Sequence, residues 1–376
     1  MKTADSIKPA RPAKDGLWMT IAEELRSRIN GLASGTRLPT VRDMMKEFAV
    51  SQATVEQALE AIEADGLISS RVGRGTFVAD SAATQQRQKT IMVLRGDYPS
   101  RRGDDITRAL QQAIGKAEHQ GLVITYQDME HVMDVLAPLK PSDGYILQPL
   151  GAVSIPVALL HFLRSRSSAV VVSEAEIGSL NVDGVYMDLL AQSALCVRHL
   201  RGLGHRRIAF ISGEPLMGDQ WRLAENHRQT AEWLGVADGD DLVLTCDTRP
   251  GEDAVRHMRE RIDRLIVDRG KAALPFTAII CGSYVSALGA LEAFKQHGVR
   301  VPEDVSVVVA DNPDIEQARR GGLTMVGVSS VERADIMLHC LMRRWDNPDQ
   351  PYGTEFMKAS LAAGSSSGPV PTSCCG

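Results

Sequence analysis

Ser51, Gln52, Thr54 and Glu56 lie within one short stretch and carry groups suited to reading base edges. Glutamine matches adenine through a bidentate pair, glutamate accepts from cytosine N4, and hydroxyls serve either base. That chemistry requires all four on the exposed first turn of a helix that enters the major groove N-terminus first. The neighbouring residues supply such a helix. Ser51 suits an N-cap, Val55, Ala58, Leu59 and Ile62 recur at helical spacing on the opposite face, and Gly66 is placed to stop the helix. Arg42, Lys46, Arg71 and Arg74 are the nearby cations that could meet phosphate, with Gly73 beside the last of them.

The elements that would hold these groups can be read outward from them. A first helix reads from the capping box Thr20–Glu23, with Ile21, Leu25 and Ile29 on one stripe. A second opens at Pro39-Thr40 with Asp43 at its third position, and turns Met44, Met45 and Phe48 inward. After the third helix, Leu67–Arg71 and Thr76–Val78 alternate as two short strands around Val72-Gly73-Arg74-Gly75, which places Arg74 at a hairpin tip. Three capped helices and a hairpin over residues 17–79 form a winged helix-turn-helix. Its charge does not advertise nucleic acid: residues 1–80 hold 11 basic and 11 acidic side chains, and the whole chain is at −5. Phosphate affinity must therefore come from local placement, and two half-sites held by a dimer are expected.

Residues 1–16 lack an apolar core segment and are expected to be disordered, which predicts neither export nor membrane insertion and a cytoplasmic protein. The six cysteines show no metal-binding spacing, and no metal or cofactor is expected. No G-x-S-x-G elbow, phosphate loop or dinucleotide fingerprint is present, so the chain reads as a non-enzyme with no catalytic residues.

Residues 80–89, DSAATQQRQK, are polar and aperiodic and read as a linker. From residue 90, Val- and Ile-rich runs alternate with helical segments: 91–94, 122–127, 144–148, 169–173, 184–187, 207–211, 242–246, 278–281, 306–310 and 324–328. Such alternation predicts parallel sheets covered on both faces, and ten strands call for two lobes rather than one sheet. Open parallel sheets bind ligands beyond their strand C-termini. Glu174, Asp188, Tyr284 and Asp311 stand at such ends. The stretch 364–376 is low in complexity, and 365–376 reads as a disordered tail.

Two resemblances sharpen these expectations. The segment TRLPTVRDMMKEFAVSQATVEQALEAIEADGLISSRVGRGTFV resembles the DNA-binding domain of GntR-type bacterial regulators, including LP-x-x-R and G-R-G-T-F. The resemblance implies DNA contacts at Arg42, Ser51, Gln52, Thr54, Glu56, Gly73 and Arg74. It departs at Gln52 and Glu56, where arginines are common, so the operator should differ from the usual family sites. Residues 199–211, 280–290 and 301–308 are similar to the effector domain of LacI-type repressors, a type I periplasmic-binding-protein-like pair of lobes spanning 90–364. That likeness implies crossovers near Asp188, Asp311 and Val328, a ligand between the lobes, and effector contact by Arg222. Within it, HLRGLGHRRIAF identifies the fold without needing to touch ligand. Tyr284 and Leu189 stand where the family carries Asp or Asn, which removes sugar-type acceptors and suggests an unusual effector, such as an aromatic-stacked sugar.

The expectation is an α/β regulator: a winged helix-turn-helix joined to a two-lobed domain that binds a small-molecule effector, possibly a sugar, at Glu174, Arg222, Tyr284 and Asp311. As a homodimer it would bind an inverted-repeat operator in double-stranded DNA and repress carbohydrate-utilisation genes. The alternative is a sugar-binding protein of a transport or sensing system, without promoter control.

Overall fold

The computed structural model describes residues 17–29, 32–71, 75–79, 88–97, 100–149, 154–175, 177, 180–215, 219–236, 242–246, 248–249 and 251–371. The chain divides into two compact units, Met1–Gln88 and Lys89–Gly376. In the first, α1 (Leu17–Ile29), α2 (Val41–Phe48) and α3 (Gln52–Ala64) enclose a core of Ile21, Leu25, Met44, Val55, Ala58 and Ile62. Strands β1 (Ile68–Arg71) and β2 (Gly75–Val78) pair antiparallel, and Arg37 bridges to Phe77 from the other side. The first helix starts at Leu17, ahead of the expected Thr20 cap, because Trp18 packs on the core and extends the apolar stripe.

The second unit runs β3 (Thr90–Gly96), α4 (Arg101–Lys116), β4 (Gln120–Tyr126), α5 (Val132–Leu136), β5 (Gly144–Gln148), α6 (Val157–Arg166), β6 (Ala169–Ser173) and β7 (Asp183–Met187). There follow α7 (Leu189–Gly202), β8 (Ile208–Ser212), α8 (Asp219–Trp233), β9 (Val243–Thr245), α9 (Ala254–Arg269), β10 (Ala278–Cys281), α10 (Tyr284–Gln296), β11 (Ser306–Val309), α11 (Glu316–Arg320) and β12 (Thr324–Gly327). The chain closes with α12 (Ser330–Asp346), β13 (Thr354–Met357) and β14 (Ser360–Ala362). One sheet has the order β4-β3-β5-β6-β7-β13, all parallel, and the other β9-β8-β10-β11-β12-β14, parallel except for β14. Their central strands are mostly apolar because alternate side chains enter cores on both faces: Ile91 and Val93 on one, Met92 and Leu94 on the other.

The chain passes between lobes three times: after β7, after β12 and between β13 and β14. The third passage corrects the expectation at Asp311, which lies between β11 and α11 within one lobe. The sequence reading missed β13 and β14 because TEFM and SLA sit at sheet edges, with most of their side chains open to water and no continuous apolar run. A buried ion pair sets β13 in place. Arg344 bonds both oxygens of Asp183 at 3.0 Å, reaches the carbonyls of Pro348 and Pro351, and lies 3.9 Å from the Tyr352 ring centroid, folding the connecting loop back onto β7.

Residues 364–371 depart from the expected disordered tail. Ser366 is buried and donates to the Val307 carbonyl, while Gly368 exchanges bonds with Ser306 and accepts from the fully buried His205. The hydroxyl-rich composition that reads as low complexity supplies hydrogen bonds along the end of the sheet. Cys374 and Cys375 lie outside the described residues, as do residues 1–16 and most of the linker.

Candidate functional sites

In the first unit, the turn between α2 and α3 is fixed by caps at both ends. Thr40 Oγ1 accepts from the Asp43 amide while the Asp43 carboxylate accepts from the Thr40 amide and hydroxyl, which holds that carboxyl below its ordinary range. Helix α2 ends at Ala49 in the left-handed region, φ 52°, and Ser51 caps α3 by accepting from the Thr54 amide. Val55, Ala58, Leu59 and Ile62 face the core, so Gln52 and Glu56 stand in solvent. They are bonded to each other, Gln52 Nε2 donating to Glu56 at 2.8 Å. Ser51 and Thr54 share a hydroxyl contact of 2.8 Å, which leaves them less free than the two longer side chains. Arg42 and Lys46 are exposed on α2.

At the wing, Arg71 closes β1 by pairing with Gly75, while Gly73 and Arg74 lie outside the described residues. Arg37, which the sequence reading passed over, places its guanidinium against the Gly75 backbone, where a Cβ would come within 2.8 Å of Nε. An isolated arginine without periodic context gave no signal of that position.

In the second unit, the strand C-termini of both lobes open onto one crevice. On the C-terminal lobe, Glu214 follows β8, Ser283 and Tyr284 follow β10, and Asp311 and Asn312 follow β11. The Asp311 carboxylate accepts from the amides of Tyr284, at 3.0 Å, and Asn312, at 2.8 Å, so its oxygens are committed to the start of α10 and to its own loop. The Tyr284 phenol is pushed up by burial and drawn back by Arg101. Glu214 is pushed up by burial, bonds Ser283, and faces Asp311 and Arg102. Arg101 and Arg102 belong to the first turn of α4 on the opposite lobe, so their fields join the two walls.

On the N-terminal lobe, Glu174 follows β6 in the left-handed region, φ 57°, and pairs with Arg333 of α12 at 2.5 Å, both side chains largely buried. A cavity beside this pair is lined by Arg102, Gly103, Gln148, Ser173, Met337 and Met357, among others. Gln148 is 2 % exposed, and its side-chain amide meets the Thr107 hydroxyl at 2.9 Å, which also donates to the Gly103 carbonyl. Arg222 of α8 spans the lobes differently, donating to the Tyr186 hydroxyl of β7 at 2.5 Å. The structure thus groups Tyr284 and Asp311 on one wall and Glu174 on the other, with Arg222 tied to Tyr186. Glu214 and Gln148, absent from the sequence reading, stand at strand ends like Glu174 and were open to the same rule. Arg102 and Arg333 had no such signal.

Among the described residues no group of three or more His, Cys, Asp or Glu side chains could hold a metal ion, and no helix is long and apolar enough to cross a membrane. Residues 18–78 match the bacterial regulatory proteins of the gntR family, and residues 197–367 match the periplasmic binding protein-like domain. The arabinose metabolism transcriptional repressor of Geobacillus stearothermophilus is 25% identical over 320 residues, 82% of this chain and 86% of that protein. The HTH-type transcriptional repressor CytR of Escherichia coli (strain K12) is 26% identical over 326 residues, 85% of this chain and 89% of its own. Among solved structures, a LacI family transcriptional regulator from Enterococcus faecium with bound ribose superposes with a TM-score of 0.59 at 19% identity, covering 75% of this chain and all of that one.

Proposed function

We infer that this chain, a bacterial transcriptional regulator with a GntR-type DNA-binding domain ahead of a periplasmic-binding-protein-like effector domain, represses carbohydrate-utilisation genes and is switched by a small molecule held between its lobes. The carrying observation is the joining of two complete devices in one chain: an exposed, capped first turn on α3 and a two-walled polar crevice. On the DNA side, Gln52 and Glu56 read bases, Thr54 and Ser51 support them, and Arg42, Arg71, Gly73 and Arg74 meet the backbone. The name of the arabinose metabolism repressor, and the ribose in the Enterococcus regulator, support a carbohydrate effector near Arg222, Tyr284, Asp311 and Glu174.

The protein acts in the cytoplasm as a homodimer on an inverted repeat and performs no catalysis. Closure of the lobes around effector alters the spacing of two half-site readers, and a coupling of about 1–3 kcal/mol changes operator affinity about 5- to 150-fold. A gel-shift titration against DNA upstream of its own gene, with and without a panel of sugars, tests this. A retarded band that responds to one sugar is expected. Failure to retard any duplex at low salt would overturn the reading.

A further inference from the structure

The first unit holds as many acidic as basic side chains, 11 of each in residues 1–80, so its grip on phosphate depends on which cations stay uncommitted. Arg26 pairs with Asp65 at 2.6 Å, and Arg28 is shared between Glu24 at 3.0 Å and Glu47 at 2.5 Å. Of the other cations whose side chains are described there, Arg37, Arg42 and Lys46 make no ion pair among the described residues. Arg42 and Lys46 already stand among the cations expected to meet DNA. Arg37 does not, yet the fold gives it a defined place. It bridges to Phe77, and the Leu38 amide donates to the Thr76 carbonyl at 2.9 Å, so the segment leading into α2 lies along the edge of β2 away from β1. From that register the half-buried side chain reaches Gly75, where Nε, Nη2 and Cζ would lie 2.8, 3.1 and 3.3 Å from a Cβ. Gly75 has φ 106°, a conformation that favours glycine, so the backbone and the room beside it both suit the absence of a side chain. The guanidinium is thereby held where β2 leaves the wing turn, and its backbone leads directly into the first turn of α2, which carries Arg42.

We propose that Arg37 is a further DNA contact, its guanidinium taking a backbone phosphate where the wing meets the duplex. The proposal rests on the first unit binding DNA through α3 and the wing, and adds a residue to that surface. Packing alone needs the stem and not the charge, since a methionine would cover Gly75 as well. A half-buried guanidinium without an acceptor gives up part of its hydration with no protein group to replace it. A phosphate offers two oxygens to the guanidinium fork, and such a contact fixes register on the duplex without preferring a base. Because the side chain is already placed, little rotamer freedom is lost when the phosphate arrives.

Fluorescence anisotropy of the full chain tests this on two duplexes, one selected by the chain from a randomised pool and a scrambled one of the same length, each across a series of salt concentrations. Arg37→Gln should weaken binding to both by a similar factor, about tenfold. It should also lower the slope of log affinity against log salt by about 0.9 for each half-site bound. Arg37→Lys keeps the charge and should keep the slope. Should Arg37→Gln not melt cooperatively, Arg37→Met, which retains an apolar stem over Gly75, carries the same test. The proposal is overturned by a salt slope that the neutral variant leaves unchanged, by a slope that Arg37→Lys lowers equally, or by a loss confined to one base position while the scrambled duplex binds as before. Each of those results would leave the DNA-binding reading intact; failure of the unaltered chain to bind either duplex at low salt would overturn both.

Discussion

Asp311 shows what a strand end alone does not reveal. Its position after VSVVVA marks it for the crevice, but its oxygens are taken by the amides of Tyr284 and Asn312. Asp311→Ala should therefore cost about 1–3 kcal/mol in equilibrium unfolding, the expense of leaving buried amides unmatched. A loss confined to ligand binding, with stability unchanged, would contradict this account. Glu214 behaves in the opposite sense. Its folded-state carboxyl titrates above its ordinary value because burial disfavours the charge, so its contribution is fully present in acid and is lost as pH rises through the shifted value. Glu214→Gln, neutral throughout, should match the parent's melting temperature near about pH 4.5 and exceed it by a widening margin towards about pH 8. A gap that stays constant across that range would rule out the proposed cause. On the DNA face, Gln52→Ala should lose about 1–3 kcal/mol of discrimination at one base position, read by selection from a randomised duplex pool, while unselective binding remains.

At the scale of elements, the sequence disclosed what periodicity and caps can encode. The Thr40–Asp43 box, the Ser51 cap and the apolar faces of α2 and α3 are all visible as residue patterns, and so are the Val-rich strands that fill both sheets. What stayed hidden depends on partners distant in the chain. Strand β13 has no apolar run, and its place beside β7 follows from Arg344 reaching back to Asp183. The 364–371 segment looks structureless until Ser306, Thr324 and His205 offer it hydrogen bonds. Gln148 and Glu214 were legible, standing at strand ends, whereas Arg333 became meaningful only when α12 brought it to Glu174. Two outcomes follow. Asp183→Ala, which strands a fully buried guanidinium, should destabilise the effector unit by about 3–5 kcal/mol in denaturant titration, where a surface pair would lose under about 1 kcal/mol. His205 and His199 are both shifted down by burial, so the unfolded chain takes up protons first; the described end segment should loosen as pH falls below about 6.5, seen as faster amide exchange at residues 364–371. Exchange there that is independent of pH, after correction for intrinsic rates, would show the imidazoles are not its anchor.

At the scale of the whole molecule, the claim is that occupancy of the crevice and grip on DNA are one equilibrium. The chain passes between the lobes at three places, and Arg222–Tyr186 and the fields of Arg101 and Arg102 reach from one lobe to the other. Linkage then requires reciprocity: whatever factor an effector applies to operator affinity, operator must apply to effector affinity. The decisive measurement is a pair of titrations on the full chain, operator binding by fluorescence anisotropy with and without saturating effector, and effector binding by calorimetry with and without saturating operator. Equal factors, within the range of about 5 to 150, are predicted. An effector that binds tightly yet leaves operator affinity unchanged, with its own affinity indifferent to DNA, would contradict the account.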